Sequence, residues 1–291
     1  MRQQSSINQM NFRQKYHSYR KHPGSFLLFL LVNLAAIATF AILLFLIIYI
    51  LIKGLPHLTP SLFALKYNSD NVSMFPAIIN TVALALLSLL IAAPLGIFTA
   101  IYLVEYAKRG SKVVELIRLT AETLSGIPSI VYGLFGLLFF VTTLHWGQSL
   151  LAGAFTISIM ILPLIIRSTE EALQAVPDLY REASFGLGAG KLRTIFRIVL
   201  PSAVPGILAG IILAIGRIVG ETAALIYTAG TWPQLLSGIM GSARTLSVHM
   251  YSLSREGLNT DQAYATAVIL LLLVFLINAI SAFLAKKLAK G

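Results

Sequence analysis

The sequence of 291 residues contains no cysteine and few charged side chains. Without cysteine, the chain can form no disulfide framework, no thiolate metal site and no cysteine nucleophile. Only 11% of its residues are charged and 57% are hydrophobic, against roughly 25% and 45–50% in soluble domains. This composition excludes an ordinary soluble globular domain, and it also excludes a chain that is disordered for lack of apolar residues.

The sequence contains several long runs of apolar residues with few or no charged side chains. A helix that crosses a membrane needs about 20 apolar residues, and we predict an all-α, polytopic membrane protein with six transmembrane helices. The first run is longer than the apolar core of a signal peptide, so we expect it to remain as an anchor. The predicted spans are Phe26–Ile52, one helix within Asn71–Val104, two helices within Thr123–Ile166 on either side of His145–Gln148, Ile198 to about Ala224, and Gln262–Ala285.

The net charge of +11 is explained by where the basic residues lie. In the six-span topology, most of the 22 Lys and Arg fall on the side that carries both termini. Because basic loops stay on the inner side of the membrane, we predict that both termini are cytoplasmic.

The basic segment of residues 1–25 forms a cytoplasmic arm ahead of a single membrane domain, residues 26–291. The arm could bind nucleic acid, but a position beside anionic lipid headgroups explains its charge better. We therefore predict membrane lipid as its contact and no nucleic-acid partner.

The longest predicted cytoplasmic insertion lies between the fourth and fifth spans, within residues 168–201. Pro177 followed by Asp178 is typical of a helix start, and we predict a short helix that continues to about Phe185. The glycines at positions 186, 188 and 190 should end this helix.

Further along the same insertion, apolar residues recur with helical spacing at Leu192, Ile195, Phe196 and Val199. This pattern predicts an amphipathic helix that lies on the surface and runs into Pro201. Two interpretations of the insertion remain open. It is either a connector that rests on lipid headgroups or a docking site for a soluble partner.

The string GLGAGKL in this insertion is not a phosphate-binding loop. The motif G-x-x-x-x-G-K-[ST] requires a glycine where Phe185 stands and a hydroxyl residue where Leu192 stands. If the chain takes part in an ATP-driven process, the nucleotide therefore binds to another polypeptide.

Two charged residues, Arg217 and Glu221, interrupt the fifth predicted span. They are four residues apart and would share one helix face, and charges within a span face the bundle interior or a water-filled cavity. They could neutralise each other as an ion pair. Alternatively, Arg217 binds an oxyanion, while Glu221 orients the guanidinium and accepts the O–H of hydrogen phosphate, which sulfate lacks near neutral pH.

The third predicted span is interrupted by Ser125-Gly126-Ile127-Pro128-Ser129. Proline frees a backbone carbonyl and biases the preceding residue away from helix. A half-helix that starts near Pro128 would direct free N–H groups at an anion, with Ser125 and Ser129 as further substrate contacts. A simple proline kink explains the sequence equally well.

Counting from Glu182, the insertion reads E-A-S, three residues, Gly188, nine residues, Ile198, one residue, then Leu-Pro. This spacing resembles the EAA loop of bacterial ABC-importer permeases, apart from Ser184, where that family usually has alanine. The resemblance implies the type I ABC-importer permease fold and a coupling helix that docks on a separate ATPase subunit. By the same resemblance, the residues at the ATPase interface are Asp178, Arg181, Glu182, Ala183 and Gly188.

Four further strings, SGIPSIVYGLFG, PLGIFTAIYLVEYA, GRIVGETAAL and LSVHMY, are together similar to phosphate-specific permeases, and most similar to the A-type subunit. The resemblance implies that this chain forms half of the pathway of a phosphate importer in the inner membrane. It also implies three partners, which are a dimer of ATP-hydrolysing subunits, a second, C-type permease and a periplasmic phosphate-binding protein. Arg217 and Glu221 lie at the positions that the family ties to phosphate movement.

Two other functions remain open. An ABC permease could carry another oxyanion, such as sulfate or molybdate, or the chain could be a proton-coupled secondary transporter or channel in which Glu221 relays protons. An intramembrane enzyme lacks support, because neither HExxH nor GxSxG occurs near the candidate residues. The sequence predicts no covalent chemistry, no cofactor and no metal site.

Overall fold

In a computed structural model, which describes residues 23–108 and 110–288, the chain is built from α-helices. No β-strand occurs among these residues, as an all-α chain requires. Residues 1–22 of the predicted basic arm, Arg109 and Lys290 lie outside the described residues. The helices are α1 (Pro23–Gly54), α2 (Phe75–Ile101), α3 (Lys112–Ser125), α4 (Ser129–Gly136), α5 (Leu150–Gln174), α6 (Asp178–Gly186), α7 (Lys191–Thr194), α8 (Leu200–Gly220), α9 (Ala223–Thr228), α10 (Leu246–Glu256) and α11 (Thr260–Leu288).

Five of the predicted spans are membrane-length helical runs in the described part of the chain. The remaining span is not a single helix, because it consists of α3 and of α4 with its continuation to Thr143, and these meet at 101°. Six spans are therefore found when this bent pair counts as one. The five unbent runs are Gly24–His57, Phe75–Tyr106, Leu150–Gln174, Lys191–Gly220 and Thr260–Phe283.

By its internal contacts the chain divides into residues 1–52 and residues 53–291. In the first unit, two polar side chains of α1 bond to the carbonyl four residues back. Asn33 Nδ2 donates to Phe29 O at 2.7 Å, and Thr39 Oγ1 donates to Ala35 O at 2.8 Å. Because a bilayer core offers no water, these bonds allow both residues to lie within a span.

In the second unit, α5 is the central helix. Its residues Ile157, Ile161 and Ile165 are fully buried and pack in one cluster with residues of α2, α4, α8 and α9. In α5, 67% of the most apolar stretch is buried inside the protein, against 39% in α2. A helix that is apolar on most sides and buried on most sides forms the core of a bundle, and α2, α4, α8 and α9 pack against it.

Small residues let α8 cross α5 closely. A Cβ built on Gly206 would lie 2.7 Å from Ala172 Cβ, and one built on Gly210 would overlap the side chain of Ser168. Such residues are typical of helix crossings in membranes, where close van der Waals contact drives association.

Three π-helical segments interrupt the described helices, at Tyr102–Tyr106, Leu137–Thr143 and Ile195–Val199. The third corrects two expectations. Residues 191–220 form one continuous helical run. The predicted amphipathic helix is therefore the first part of this run and not a separate helix on the surface. Of the four apolar residues predicted to share one face, Ile195 and Val199 are buried while Leu192 and Phe196 are exposed, and the π turn begins at Ile195.

The long loop between α9 and α10 is fixed to α2 by one buried amide, that of Asn80. Asn80 Nδ2 donates to the carbonyl oxygens of Gln234 and Arg244 at 3.1 and 3.2 Å, and Asn80 Oδ1 accepts from the Leu236 N–H at 3.3 Å. The loop therefore has a defined path against α2.

The helix α5 runs between two ends of this bundle. At its first residue, the Leu150 N–H donates to Gly241 O at 2.9 Å, in the loop that precedes α10. In its last turn, Leu173 O accepts from Arg181 of α6 at 3.0 Å. We call these the α10 end and the α6 end.

Replacing Gly206 with alanine should destabilise the bundle, because the new methyl group would lie 2.7 Å from Ala172 Cβ. Overpacking of this kind costs about 1–3 kcal/mol, so we expect a lower midpoint of thermal unfolding in detergent. The matched control is Gly216→Ala in the same helix, since nothing lies within 4 Å of a Cβ at that position. The double variant Gly206→Ala/Ala172→Gly moves the methyl group to the other helix and should recover part of the loss. Equal midpoints for the two single variants would contradict the close crossing.

Candidate functional site

The helix that carries Arg217 ends earlier than the sequence predicts, at Gly220. Glu221 has extended backbone angles (φ −72°, ψ 130°), and its Oε1 accepts from the Ala224 N–H of α9 at 3.1 Å. Its backbone carbonyl accepts from Ser247 Oγ at 2.5 Å. The prediction that Arg217 and Glu221 share one helix face is wrong, because the chain leaves the helix and the carboxylate caps the next one.

The guanidinium of Arg217 has no anionic partner in the described part of the chain. No carboxylate there lies within 4.0 Å of it, Glu221 included. Glu221 therefore neither neutralises Arg217 nor orients its guanidinium. Arg217 lies in the last turn of α8, where a cation complements the helix dipole, and its side chain is exposed.

Arg217 lines a cavity of about 610 Å³. The cavity extends along α5 from Met160, in the middle of this helix, to Gln174 at the α6 end. We call it the bundle cavity. Its other charged lining residues are Arg118, Glu122, Arg167, Glu170 and Glu171.

Most of the charges in the bundle cavity neutralise each other. Arg118 Nη2 lies 2.9 Å from Glu170 Oε1, and Arg167 Nε lies 3.2 Å from Glu171 Oε1. Among the described residues, no ion pair involves the cavity's remaining acidic residue, Glu122. As far as the chain is described, the cavity therefore contains one guanidinium and one carboxylate without an ion pair, those of Arg217 and Glu122.

The chain breaks between α3 and α4, and Pro128, with ψ 140°, precedes the first residue of α4, Ser129. This confirms the half-helix predicted near Pro128, and an angle of 101° between the two helices is too large for a simple kink. Across the break, Tyr132 Oη donates to Leu124 O at 2.7 Å. This bond ties the two helices together at their junction.

The two serines predicted to contact substrate are placed differently. Ser125 lines the bundle cavity, and its Oγ donates to Glu122 O at 2.7 Å. Ser129 is half-buried in the first turn of α4 and is not part of the cavity lining. The structure therefore brings Arg217 and Ser125 to one cavity, but not Ser129 or Glu221.

The short helix predicted after Pro177 is present as α6, and Gly188 turns the chain behind it with φ +81°. Apolar side chains on this segment are exposed, Leu179 by 68% and Leu187 by 90%. The segment therefore presents a mixed apolar and polar surface. Exposed members of the predicted ATPase-facing set are Asp178, Glu182, Ala183 and Gly188.

Arg181, the remaining member of that set, is turned into the protein. Its Nε and Nη2 donate to Glu105 Oε1 at 3.1 and 2.8 Å, and the two side chains are only 14% and 8% exposed. The guanidinium also donates to the carbonyl oxygens of Leu173 and Val176 at 3.0 and 2.8 Å, and to Asp178 Oδ1 at 3.2 Å. One side chain thus ties α6 to the ends of α2 and α5. Sequence reasoning missed Glu105, which is 76 positions away.

Ser184, the departure from the EAA pattern, is buried and has a partner. Its Oγ lies 2.8 Å from Thr194 Oγ1, which also donates to Gly190 O at 3.3 Å. The serine therefore fixes α6 to α7 by a hydrogen bond that alanine cannot form. No local pattern marked Thr194 as its partner.

At the α10 end, the guanidinium of Arg244 fills a buried position. Its Nε donates to Thr231 O at 2.7 Å, its Nη1 lies 3.4 Å from His249 Nδ1, and it stacks over the Tyr67 ring at 5.5 Å. Because arginine can only donate, Nδ1 of His249 is the acceptor and the ring is neutral. Burial, followed by the charge of Arg244, lowers the pKa of His249 to about 4. His249 lies in the string LSVHMY, which carries part of the family resemblance, but nothing in the sequence marked Arg244.

Residues 92–290 match the family described as binding-protein-dependent transport system inner membrane components. The "Probable ABC transporter permease protein YqgI" of Bacillus subtilis (strain 168) is 36% identical over 244 residues, which cover 79% of this chain and 83% of that protein. The "Phosphate transport system permease protein PstA 1" of Mycobacterium tuberculosis (strain CDC 1551 / Oshkosh) is 38% identical over 218 residues, which cover 72% of this chain and 70% of that protein.

Solved structures of ABC transporters share the fold. A chain of a bacterial alginate ABC transporter, in complex with its alginate-bound periplasmic protein, superposes with a TM-score of 0.67 at 18% identity, covering 94% of this chain and 98% of that one. A chain of the MetNI methionine ABC transporter, in an inward-facing conformation, gives a TM-score of 0.57 at 20% identity, with coverage of 74% and 94%. At these identities the likeness concerns the fold alone, and it confirms the predicted ABC-importer permease fold.

His249 should make the fold less stable as the pH falls. The histidine of the unfolded chain takes up a proton near pH 6.5, whereas that of the folded chain does so only near pH 4. The contribution of this group to the free energy of unfolding is therefore complete above pH 6.5 and declines towards pH 4, by up to about 3 kcal/mol in total. Midpoints of thermal unfolding measured across this range would show the decline.

A non-titrating His249→Asn variant should flatten that pH dependence. His145→Asn, at an exposed histidine, is the matched control and should keep it. The same slope in both variants would argue against His249 as the source.

Proposed function

The chain belongs to the family of binding-protein-dependent transport system inner membrane components, and we propose that it forms half of the translocation pathway of an ATP-driven importer for inorganic phosphate. The names of its mycobacterial relatives, which are phosphate transport system permeases, support the choice of phosphate. In this proposal the chain performs no covalent chemistry, and ATP is hydrolysed by separate subunits.

The observation that carries the proposal is the unpaired guanidinium of Arg217 on the bundle cavity. A charge in the middle of a membrane costs about 2.5–3.5 kcal/mol even on insertion scales, and no carboxylate in the described part of the chain offsets it. An oxyanion would supply the missing negative charge and accept two parallel N–H bonds. Ser125, on the same lining, would turn its hydroxyl from the Glu122 carbonyl to the anion.

The free carboxylate of the cavity suits phosphate in particular. Glu122 lines the same cavity as Arg217, and an ionised carboxylate can accept the O–H of hydrogen phosphate. Sulfate carries no such proton near neutral pH. Glu122 therefore takes the role that the sequence analysis gave to Glu221.

The movement produced by ATP reaches this cavity through α6. In our proposal, α6 and Leu187 dock on an ATPase subunit, with Glu182, Ala183 and Gly188 facing it. Arg181 then passes the movement to α2 and α5 through its bonds to Glu105 and to the carbonyls at the end of α5. Separating a buried ion pair of this kind is strongly unfavourable, so the three helices should move together. The cavity would thereby open alternately to the two sides of the membrane.

The proposed assembly contains two ATPase subunits, a second, C-type permease that completes the pathway, and a periplasmic phosphate-binding protein. The chain lies in the inner membrane with both termini in the cytoplasm, and the arm of residues 1–25 lies beside anionic lipid. Residues 26–291 form the transmembrane domain, with the coupling loop at residues 168–201. In this orientation the α6 end is cytoplasmic and the α10 end is periplasmic.

Phosphate uptake should depend on Arg217. In proteoliposomes that contain the complete importer, Arg217→Gln should reduce ATP-dependent uptake about a hundredfold, because a charge-assisted bidentate contact is lost. Arg217→Lys keeps the charge but not the fork geometry of the guanidinium, so its uptake should lie between that of Arg217→Gln and that of the unchanged importer. The control is Lys66→Gln, which removes one exposed positive charge outside both the cavity lining and the coupling loop and should keep uptake. Equal uptake in Arg217→Gln and Lys66→Gln would contradict the proposal, and uptake without ATP would favour a secondary transporter.

Docking of the ATPase should depend on the exposed apolar surface of the α6 segment. Leu187→Asp places a charge where a 90% exposed leucine stands, and we expect it to abolish co-purification of the ATPase subunit. Leu258→Asp makes the same change at an 86% exposed leucine beyond α10 and should leave co-purification intact. If both variants retain the ATPase, α6 is not the docking surface.

A further inference from the structure

At the α10 end, the guanidinium of Arg244 opens on a cavity of about 340 Å³, and it forms no ion pair within the described residues. We call this cavity the α10 pocket. None of its lining residues lines the bundle cavity. They are Ile226, Thr231, Arg244, Tyr251, Ser252, Arg255 and Glu256.

The floor of the α10 pocket is the guanidinium of Arg244, a residue that is only 9% exposed. Of its five N–H groups, one donates to Thr231 O and one faces His249 Nδ1. The others have no hydrogen-bond partner within the described residues. No carboxylate in the described part of the chain lies within 4.0 Å of the guanidinium, and neither its carbonyl partner nor an imidazole ring can supply negative charge.

A buried charge of this kind is costly unless it is paired. Tyr67 lowers the cost, because its ring face attracts the cation at 5.5 Å. The ring is uncharged, however, so it does not neutralise the guanidinium. The pocket therefore has a surplus of positive charge at its floor.

The rim of the pocket comes from the last two turns of α10. Ser252 and Arg255 are three residues apart and Ser252 and Glu256 are four apart, so they share one face of the helix. Arg255 and Glu256 are exposed, and neither forms an ion pair within the described residues. In the part of the chain that the structure describes, the pocket lining thus combines two guanidinium groups, the hydroxyls of Thr231, Tyr251 and Ser252, and the carboxylate of Glu256, which has no ion-pair partner there.

We propose that the α10 pocket is a hydrogen-phosphate subsite, separate from the bundle cavity; the proposal rests on the proposed function for the identity of the anion. Arg244 and Arg255 neutralise the anion, Ser252 donates its hydroxyl, and Glu256 accepts the O–H of hydrogen phosphate. The short segment 221–231 leads from the end of the Arg217 helix to Thr231 in the pocket. In the orientation of the proposed function, in which the α10 end is periplasmic, the subsite holds phosphate before the anion reaches Arg217.

Binding to this subsite can be followed through Trp232. This residue is 61% exposed, and its carbonyl accepts from the backbone N–H of Arg244 at 3.1 Å. The chain contains two tryptophans, so the variant Trp146→Phe leaves Trp232 as the single reporter. Inorganic phosphate added to the purified full-length chain in detergent should change the Trp232 fluorescence in a saturable manner.

In that background, Arg255→Gln should raise the Kd for phosphate roughly tenfold or more. The matched control is Lys66→Gln, since Lys66 is an exposed basic residue outside the pocket on the same predicted side of the membrane, and it should leave the Kd unchanged. Arg244→Gln should abolish binding. The midpoint of thermal unfolding of Arg244→Gln is measured in parallel, because Arg244 also anchors the loop between α9 and α10. Because Arg255 is exposed, the Arg255→Gln variant tests the subsite independently of folding.

Three results would overturn the subsite, namely the absence of a saturable signal, the same Kd in Arg255→Gln and Lys66→Gln, or a Kd for sulfate equal to that for phosphate at matched ionic strength. The subsite and the proposed function can fail separately. If uptake is independent of Arg217 but the titration succeeds, the pathway proposal fails and the subsite stands. If uptake requires Arg217 but no phosphate binds to the α10 pocket, the subsite fails and the pathway proposal stands.

Discussion

Inside a bilayer, every backbone N–H and C=O group needs a partner within the protein, and this requirement determines where the chain can leave a regular helix. At the end of α8, the carboxylate of Glu221 accepts the Ala224 N–H while Ser247 donates to the Glu221 carbonyl. The helix can therefore stop at Gly220 and restart at Ala223. Arg217 lies in the turn before this stop, so its position is set by an interruption at which the Ala224 N–H and the Glu221 carbonyl both have partners.

Three arginines in the structure differ in how completely they are compensated. Arg181 has a carboxylate at 2.8 Å and two carbonyl acceptors, so its charge is neutralised and its role is mechanical. Arg217 and Arg244 have no carboxylate within 4.0 Å in the described part of the chain. Both open on cavities, and each of these cavities also contains a carboxylate, Glu122 or Glu256, that forms no ion pair within the described residues. The same combination of groups thus occurs at two places on the proposed path for the anion.

Features that depend on local sequence could be predicted, because their causes lie within a few residues. The apolar runs define the spans, and the proline and aspartate at 177 and 178 define the start of α6. The proline at 128 likewise marks the start of α4. The relation of Arg217 to Glu221 could not be predicted, because the i,i+4 rule assumes a continuous helix and the interruption depends on Ser247, 26 positions away.

Other features of the site depend on distant partners or on a change of helical period. Glu105 reaches Arg181 only in the folded chain, and Ser184 meets Thr194 because Gly188 turns the chain. The face assigned to Phe196 follows an α-helical period of 3.6 residues, whereas the chain adopts a π turn at this residue. An alternation of polar and apolar residues does not reveal such a turn.

The hydrogen bond from Tyr132 to Leu124 O has a mechanical consequence. A break at glycine and proline would ordinarily act as a hinge, but here a ring that is only 4% exposed spans the corner. Changing the angle between α3 and α4 means breaking a bond that is worth about 1 kcal/mol and unpacking that ring. The bond and the buried ring therefore oppose bending at this corner, so that part of a displacement of α3 would be passed to α4 as a rotation instead of being absorbed at the joint.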